Sequence, residues 1–213
     1  MTLSRLGRST GTRRIYLQTD RYPCRMSVRP IRITGEPVLH TRAQPVGDID
    51  DDLRDLVRDM EETMAAAPGV GLAAPQVGVP LRLFIWNWRD DEGVEHKGTA
   101  IDPELWISPT PVGEPDVDAE SEGCLSVPGE RFPLRRAERA LLRATDLDGR
   151  PFDLTATGWL ARIFQHEYDH LDGILYVDRL TYPLSRDAAK VIRKKSWGAP
   201  GASWTPGVDH LED

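Results

Sequence analysis

Two helices are predicted from the distribution of apolar side chains. The first follows a run of acids at 48–52, which would supply an N-cap and complement the helix dipole, and Pro68-Gly69 would end it. The second runs from about 157 to 171 and would be closed by Asp172-Gly173. The apolar stripe of the first helix consists of Leu53, Leu56, Val57, Met60 and Met64.

Strand-like segments lie at 81–86, 105–108 and 139–147. Asp148-Gly149 separates two strand-like runs, which is typical of a β-hairpin. Strands that are gathered before one late helix favour an α+β fold. We expect antiparallel or mixed β-sheets packed around a central helix that carries the sequence His-Glu-Tyr-Asp-His at 166–170.

The composition is that of one ordinary folded domain, with 213 residues, 39% hydrophobic and 29% charged. The net charge of −7 argues against a protein that coats DNA, and apolar runs such as 83–86 are too short to cross a membrane. No apolar signal segment precedes the two cysteines, Cys24 and Cys124. We therefore expect a reducing cytoplasm and no disulfide framework.

The segment 166–170 matches the pattern His-Glu-x-x-His. On a helix, His166 and His170 lie on one face, so that both imidazoles can reach one metal ion. Glu167 follows one step round the helix, close enough to handle a proton of a metal-bound water. The alternative is a pair of surface histidines beside a solvated glutamate.

A third ligand has to come from another part of the chain. The acids and the histidine downstream of His170 lie in no recognisable ligand motif. Upstream, Cys124 lies in the segment Glu-Gly-Cys-Leu-Ser-Val-Pro-Gly at 122–129. A thiolate with two imidazoles would leave a fourth position for water, which is the arrangement that catalytic metals need.

Three segments, 69–76, 122–126 and 165–171, resemble the signature motifs of peptide deformylases in order and separation. The resemblance covers about residues 28–180. It implies one divalent ion per chain, naturally ferrous iron (Fe2+), with zinc, nickel or cobalt able to substitute. It also implies that the ligands are Cys124, His166 and His170.

The same resemblance implies a reaction on N-formylmethionyl nascent peptides. Glu167 would take a proton from the metal-bound water and return it to the leaving amine. The metal, the side-chain amide of Gln76 and the backbone N–H of Leu125 would hold the oxyanion. Glu122 and Gln165 would orient neighbouring groups.

Residues of the substrate pocket follow from the resemblance as well. Val70 and Ile163 would suit a methionine side chain, and Gly71 and Gly123 would let the substrate backbone approach. Arg131 matches a family arginine near the substrate backbone, with an ordinary surface arginine as the alternative.

Arg162 stands where the family more commonly has an apolar residue. We expect its aliphatic stem to line the pocket while its charge points outward to solvent. An altered substrate selectivity is the alternative.

The domain organisation is predicted in three parts. Residues 1–27, rich in arginine, would be a flexible arm or a misassigned start with Met26 as the true one. We favour these over an organelle transit peptide, and hence the bacterial cytoplasm. Residues 28–185 would form the catalytic domain. Residues 186–213 would form a basic segment and a Gly/Pro/Trp-rich tail, irregular from Gly198 onward.

Two other functions remain open from the sequence. A metallopeptidase with the same helix motif would not need Cys124. A non-catalytic, ribosome-associated metal protein would instead use a basic cluster to contact ribosomal RNA, although such a cluster is also typical of a solvated helix face. That cluster consists of Arg186, Lys190, Arg193, Lys194 and Lys195.

Overall fold

A computed structural model of the protein describes residues 27–211. The predicted arm at 1–27 lies outside the described residues except for Ser27, and so does Met26. Three α-helices are present in the described part: Asp51–Ala66 (α1), Gly158–Leu171 (α2) and Leu184–Lys194 (α3). The strands there are Ile31–Arg32 (β1), Gly71–Ala73 (β2), Leu83–Arg89 (β3), Glu95–Ile107 (β4), Ser121–Cys124 (β5), Val127–Pro133 (β6), Arg139–Thr145 (β7), Pro151–Thr157 (β8) and Ser203–Trp204 (β9).

The main sheet has five strands in the order β2-β3-β4-β7-β8, and all neighbours are antiparallel. Strands β7 and β8 form the predicted hairpin around Asp148-Gly149. Its turn is held by Asp146, whose carboxylate accepts from the backbone N–H groups of Asp148 and Arg150. Gly149 has φ +77°, which a residue with a side chain rarely adopts. The α+β fold class is therefore confirmed.

Helices cover both faces of strand β3, which lies between β2 and β4. Leu83 and Ile85 pack with the apolar stripe of α1, whereas Phe84 and Trp86 pack with α2. The rings of Trp86 and Phe164 meet edge to face at 5.1 Å. Burial on both faces explains why this strand reads as a continuous apolar run and not as an alternating one.

The predicted helix limits are confirmed. The side chain of Asp50 caps α1 by accepting from the Leu53 N–H at 3.0 Å. Helix α2 ends at Leu171, and Gly173 follows with φ +75°. A side chain at position 173 would also collide with the backbone of Thr41.

The prediction of an irregular tail is wrong in part. Strand β9 pairs with β1 in a two-stranded antiparallel sheet, with Ile31 opposite Trp204, and Trp204 is buried. The antiparallel hairpin of β5 and β6 was not predicted from the sequence. None of the helices among residues 27–211 is long and apolar enough to cross a membrane.

Candidate active site

Cys124, His166 and His170 meet beneath the β5–β6 hairpin. Their candidate ligand atoms all lie within 4.8 Å of one another, and all three residues are buried. The Sγ atom of Cys124 is 3.3 Å from Nε2 of His170. One thiolate and two imidazoles suit zinc or iron, and three protein donors are typical of a catalytic site, whereas a structural zinc site has four. The donor set therefore fits the implied divalent ion.

Glu122 fixes the orientation of the His166 ring. Its carboxylate lies 2.6 Å from Nδ1 of His166, which leaves Nε2 as the nitrogen that can ligate. Arg136 donates to both oxygens of this carboxylate, at 3.1 and 2.6 Å. Although burial alone raises the pKa of Glu122, the charges of Arg136 and His166 outweigh it and hold that pKa well below its usual range.

Arg136 also connects the hairpin to α2. Its Nη1 donates to Asp169 at 2.6 Å, and Arg179 binds the same carboxylate through Nε at 2.6 Å. Sequence reasoning missed Arg136, Asp169 and Arg179. Asp169 has a detectable signal, because it lies three residues after His166 and therefore on the same helix face. Nothing in the sequence distinguishes Arg136 from its neighbour Arg135, although in the folded protein Arg135 lies nearer the surface.

Gln76 presents its amide nitrogen to the thiol. Its Oε1 accepts from the backbone N–H of Ala73 at 2.8 Å, so the opposite end of the amide must face Cys124. Nε2 lies 3.7 Å from Sγ of Cys124 and 3.3 Å from Oγ of Ser126. The side chain is buried and its orientation is fixed by the backbone.

Glu167 is buried beside the ligands, and its Oε2 has no hydrogen-bond partner in the described part of the protein. Burial raises the pKa of its carboxyl group to about 7. A Cβ atom at Gly71 would lie 2.3 Å from Oε1 of Glu167. Gly71 thus makes room for this carboxylate, which is a physical role that the sequence analysis did not foresee.

One pocket of about 350 Å³ brings the predicted residues together. The residues predicted as ligands, as catalytic groups or as substrate contacts line it, except His170, which joins through its contact with Cys124. Val70 is 38% exposed and Ile163 is buried. Arg131 lines the pocket, is exposed, and donates to the carbonyl of Ser121 at 2.7 Å. The pocket also includes Trp159 and Trp204, which were not predicted as site residues.

The prediction that Arg162 points its charge into solvent is wrong. The residue is buried, and its Nη1 donates to Leu134 O at 2.7 Å and to Glu122 at 3.0 Å. The guanidinium also lies 5.3 Å from the ring centroid of Trp159. A buried cation needs hydrogen-bond acceptors, and here Leu134 and Glu122 supply them although both are distant from Arg162 in sequence.

Gln165 does not orient a ligand among the described contacts. Its side chain bonds to the backbone N–H and C=O of Ala137, at 3.0 and 2.9 Å. It therefore anchors the segment before β7 to α2.

Three donors that could hold a metal ion, beside a buried carboxylate without a hydrogen-bond partner, are typical of metal-dependent hydrolases. The family model described as polypeptide deformylase matches residues 28–185. The chain is 49% identical over 189 residues to a peptide deformylase of Mycobacteroides abscessus, covering 85% of this chain and 96% of the relative. It is also 49% identical over 185 residues to peptide deformylase 2 of Corynebacterium efficiens, covering 86% and 96%.

Solved structures agree with this match. The peptide deformylase of Legionella pneumophila superposes with a TM-score of 0.67 at 37% identity, over 80% of this chain and 96% of that one. The peptide deformylase of Synechococcus elongatus in complex with actinonin superposes with a TM-score of 0.68 at 33% identity, over 86% of this chain and 96% of that one. The chain belongs to the polypeptide deformylase family and is a metal-dependent hydrolase of that kind. The metallopeptidase and the non-catalytic alternatives are not favoured.

Proposed function

We propose that this chain removes the N-formyl group of nascent polypeptides with Glu167 as its proton carrier. The observation that supports this role is the unpartnered Oε2 of Glu167 in the same pocket as the three donor atoms. A buried carboxylate without a hydrogen-bond partner costs free energy, and groups of this kind are concentrated at functional sites. Cys124, His166 and His170 are the proposed ligands.

A divalent ion held by these residues would acidify water and polarise a carbonyl. Glu167 accepts a proton from the water that attacks the formyl carbon. It then returns that proton to the nitrogen as the C–N bond breaks. Formate and a free α-amine are the products. Burial of Glu167 keeps bulk water from competing for the proton.

Gln76 and the backbone N–H of Leu125 are the proposed oxyanion donors. The bond from Ala73 to Oε1 already directs the Gln76 amide N–H toward the thiol, so no reorganisation is needed. Loss of one such donor typically raises the barrier by about 3–4 kcal/mol.

The substrate methionine would occupy the apolar part of the pocket. Val70 and Ile163 contribute apolar wall, and Gly71 and Gly123 are the proposed positions at which an extended substrate backbone approaches. Arg131, which lines the same pocket, is the proposed contact with the peptide beyond the methionine. A relative solved in a Met-Ala-Ser complex, the enzyme of Acinetobacter baumannii, is 34% identical with a TM-score of 0.64 and covers 73% of this chain and all of that one.

We propose ferrous iron as the native metal, with zinc, nickel or cobalt able to substitute. A soft thiolate with two imidazoles accommodates each of these ions. Metal analysis of anaerobically purified protein tests the identity. The iron form should also lose activity in air faster than a nickel form, because ferrous iron and its thiolate both oxidise. Equal half-lives would count against iron.

The central test is Glu167→Gln, assayed on formyl-Met-Ala-Ser. The amide cannot carry the proton, so kcat should fall by about 10²–10⁴-fold while the metal content stays unchanged. Glu138→Gln, at an exposed position, is the matched control and should behave like the wild type. A fall in kcat of less than about tenfold in Glu167→Gln would contradict the role of Glu167 as proton carrier.

We further propose a transient contact with the ribosome through α3. Arg186, Lys190, Arg193 and Lys194 are exposed on this helix, where Ala188 is buried. Arg193 and Lys194 are the most suited, because Arg186 and Lys190 both pair with Asp187, at 3.5 and 3.4 Å, and Lys195 pairs with Glu130 at 3.2 Å and lies over Trp197.

Cosedimentation with ribosomes at low salt tests this contact. The double variant Arg193→Glu, Lys194→Glu should reduce it without affecting turnover of a short peptide. The same charge change at the exposed Arg89 and Lys97 is the control. Equal binding by both double variants would exclude α3 as the contact.

A further inference from the structure

The loop of Cys124, Leu125 and Ser126, here called the thiol loop, is held by two segments that are far away in sequence. The indole Nε1 of Trp204 donates to the carbonyl of Leu125 at 2.8 Å. The backbone N–H of Thr34 donates to the carbonyl of Ser126 at 2.8 Å. Trp204 and Thr34 thus hold two successive peptide groups of the loop that carries the proposed thiolate ligand.

Trp204 is among the largest fully buried side chains, with 1% of its surface exposed. Strand β9 reaches this position by pairing with β1, where Ile31 lies opposite Trp204. The indole then packs with Ile31 and Ile33 and also against the Leu125 side chain. The match to the family model ends at residue 185, so Trp204 lies outside the matched part of the chain.

The bond from Trp204 controls the direction of catalytic groups because a peptide unit is planar. The carbonyl of Leu125 shares a plane with the N–H of Ser126, and this N–H donates to Sγ of Cys124 at 3.4 Å. The preceding plane carries the Leu125 N–H, the proposed oxyanion donor. Rotation of the Leu125 carbonyl would therefore turn the Ser126 N–H directly, and it would release a restraint on the adjoining plane of the Leu125 N–H through the Cα atom of Leu125.

We propose that Trp204 is a positioning residue for deformylation and acts through the peptide groups of Leu125. This inference rests on the proposed function, because it takes the Leu125 N–H as an oxyanion donor. The indole N–H holds the thiol loop in its reactive geometry, and the ring completes the wall of the pocket.

Trp204→Phe separates positioning from packing, because phenylalanine keeps an apolar ring and lacks the N–H. On formyl-Met-Ala-Ser, kcat should fall about tenfold while KM changes less than about twofold. Bound metal per chain should stay equal to that of the wild type. Hydrogen exchange in a peptide spanning 121–127 should be faster, since the loop has lost a restraint.

Trp197→Phe is the matched control. Trp197 belongs to the same C-terminal region and packs against the same apolar cluster, but it has no bond to the thiol loop among the described contacts. It should keep the wild-type kcat. If Trp204→Phe does not fold, benzothienylalanine at position 204 replaces it, because this residue keeps the bicyclic shape and substitutes sulfur for the N–H.

A Trp204 variant with wild-type kcat, or with unchanged exchange at 121–127, would overturn the proposal even if its melting temperature were lower. In that case the wild type and Glu167→Gln would still behave as proposed above, and only the positioning role would fail. A wild type that leaves formyl-Met-Ala-Ser intact would overturn the proposed function together with this inference.

Discussion

At position 71 the absence of a side chain decides where the carboxylate of Glu167 can lie. The two residues approach so closely that a Cβ atom would come 2.3 Å from Oε1 and 2.8 Å from Cδ. Glu167 is held in a buried helix and cannot retreat without leaving the pocket. The glycine is therefore part of how the proposed proton carrier is placed.

We predict that Gly71→Ala lowers kcat by about a hundredfold, because displacement of a catalytic group by roughly 1 Å has an effect of this size. Steady-state kinetics on a formylated peptide is the measurement. Gly47→Ala is the control, since a Cβ at Gly47 meets nothing within 4 Å. Similar kinetics for Gly71→Ala and the wild type would show that Glu167 has free space that the structure does not reveal.

The residues with chemical roles were the most predictable part of the site. Cys124, His166, Glu167 and His170 could be proposed from the sequence because the proposed chemistry requires these residue types at these spacings, and the structure brings the three candidate ligands together. Arg162 was misjudged because a helix position alone gives no sign of its partner Glu122, which lies 40 residues away. Long-range pairing of charges is set by tertiary structure.

At the scale of elements, one buried cation joins the β5–β6 hairpin to α2. Arg136 binds Glu122 of β5 and Asp169 of α2, and the side chains of all three residues are at most 7% exposed. The hairpin carries the proposed thiolate ligand and α2 carries both imidazoles, so this arginine ties the two parts of the centre together.

We predict that Arg136→Met lowers the free energy of unfolding by about 3 kcal/mol, the lower end of the range for a broken buried ion pair, because Glu122 keeps Arg162 and Asp169 keeps Arg179. Metal affinity should fall by about 10–100-fold, because Glu122 without Arg136 would no longer hold the His166 ring in one orientation. Urea denaturation at fixed free metal and competition with a chelator are the measurements.

Arg135→Met is the comparison. Arg135 pairs with Glu120 nearer the surface, with 26% and 19% of the two side chains exposed. Its replacement should change the free energy of unfolding by less than about 1 kcal/mol. Equal destabilisation by the two variants would mean that the buried ion pairs of Arg136 contribute no more to stability than the pair of Arg135 with Glu120.

Elements with regular apolar spacing, such as α1 and the β7–β8 hairpin, could be predicted from the sequence. Strand β5 could not, because its sequence Ser-Glu-Gly-Cys places a charged residue on the buried side. Glu122 is tolerated there only because Arg136 and Arg162 meet it in the folded protein. Strand β9 has two residues and exists only through its pairing with β1.

At the scale of the whole molecule, the proposed metal would connect regions that are far apart in the chain. Cys124 and the two histidines are separated by more than 40 residues, and their donor atoms converge only in the folded state. Binding energy at such a centre is therefore also folding energy.

We predict that removal of the metal lowers the melting temperature by about 5–10 °C, as expected for a ligand present at about a hundred times its dissociation constant. Calorimetry before and after treatment with a chelator is the measurement, and addition of the metal should restore the original value. The melting temperature of Cys124→Ala should respond much less to the chelator. An equal response would indicate that the ion is bound elsewhere.

The pairing of β1 with β9 also sets an order of events during translation. Trp204 is made 173 residues after its partner Ile31. At about 5–20 residues per second, β1 waits on the order of ten seconds for its neighbour. With Trp204 in its proposed role, a growing copy has no finished reaction centre until position 204 has been made. The formyl group of each new copy would then be removed by a copy completed earlier.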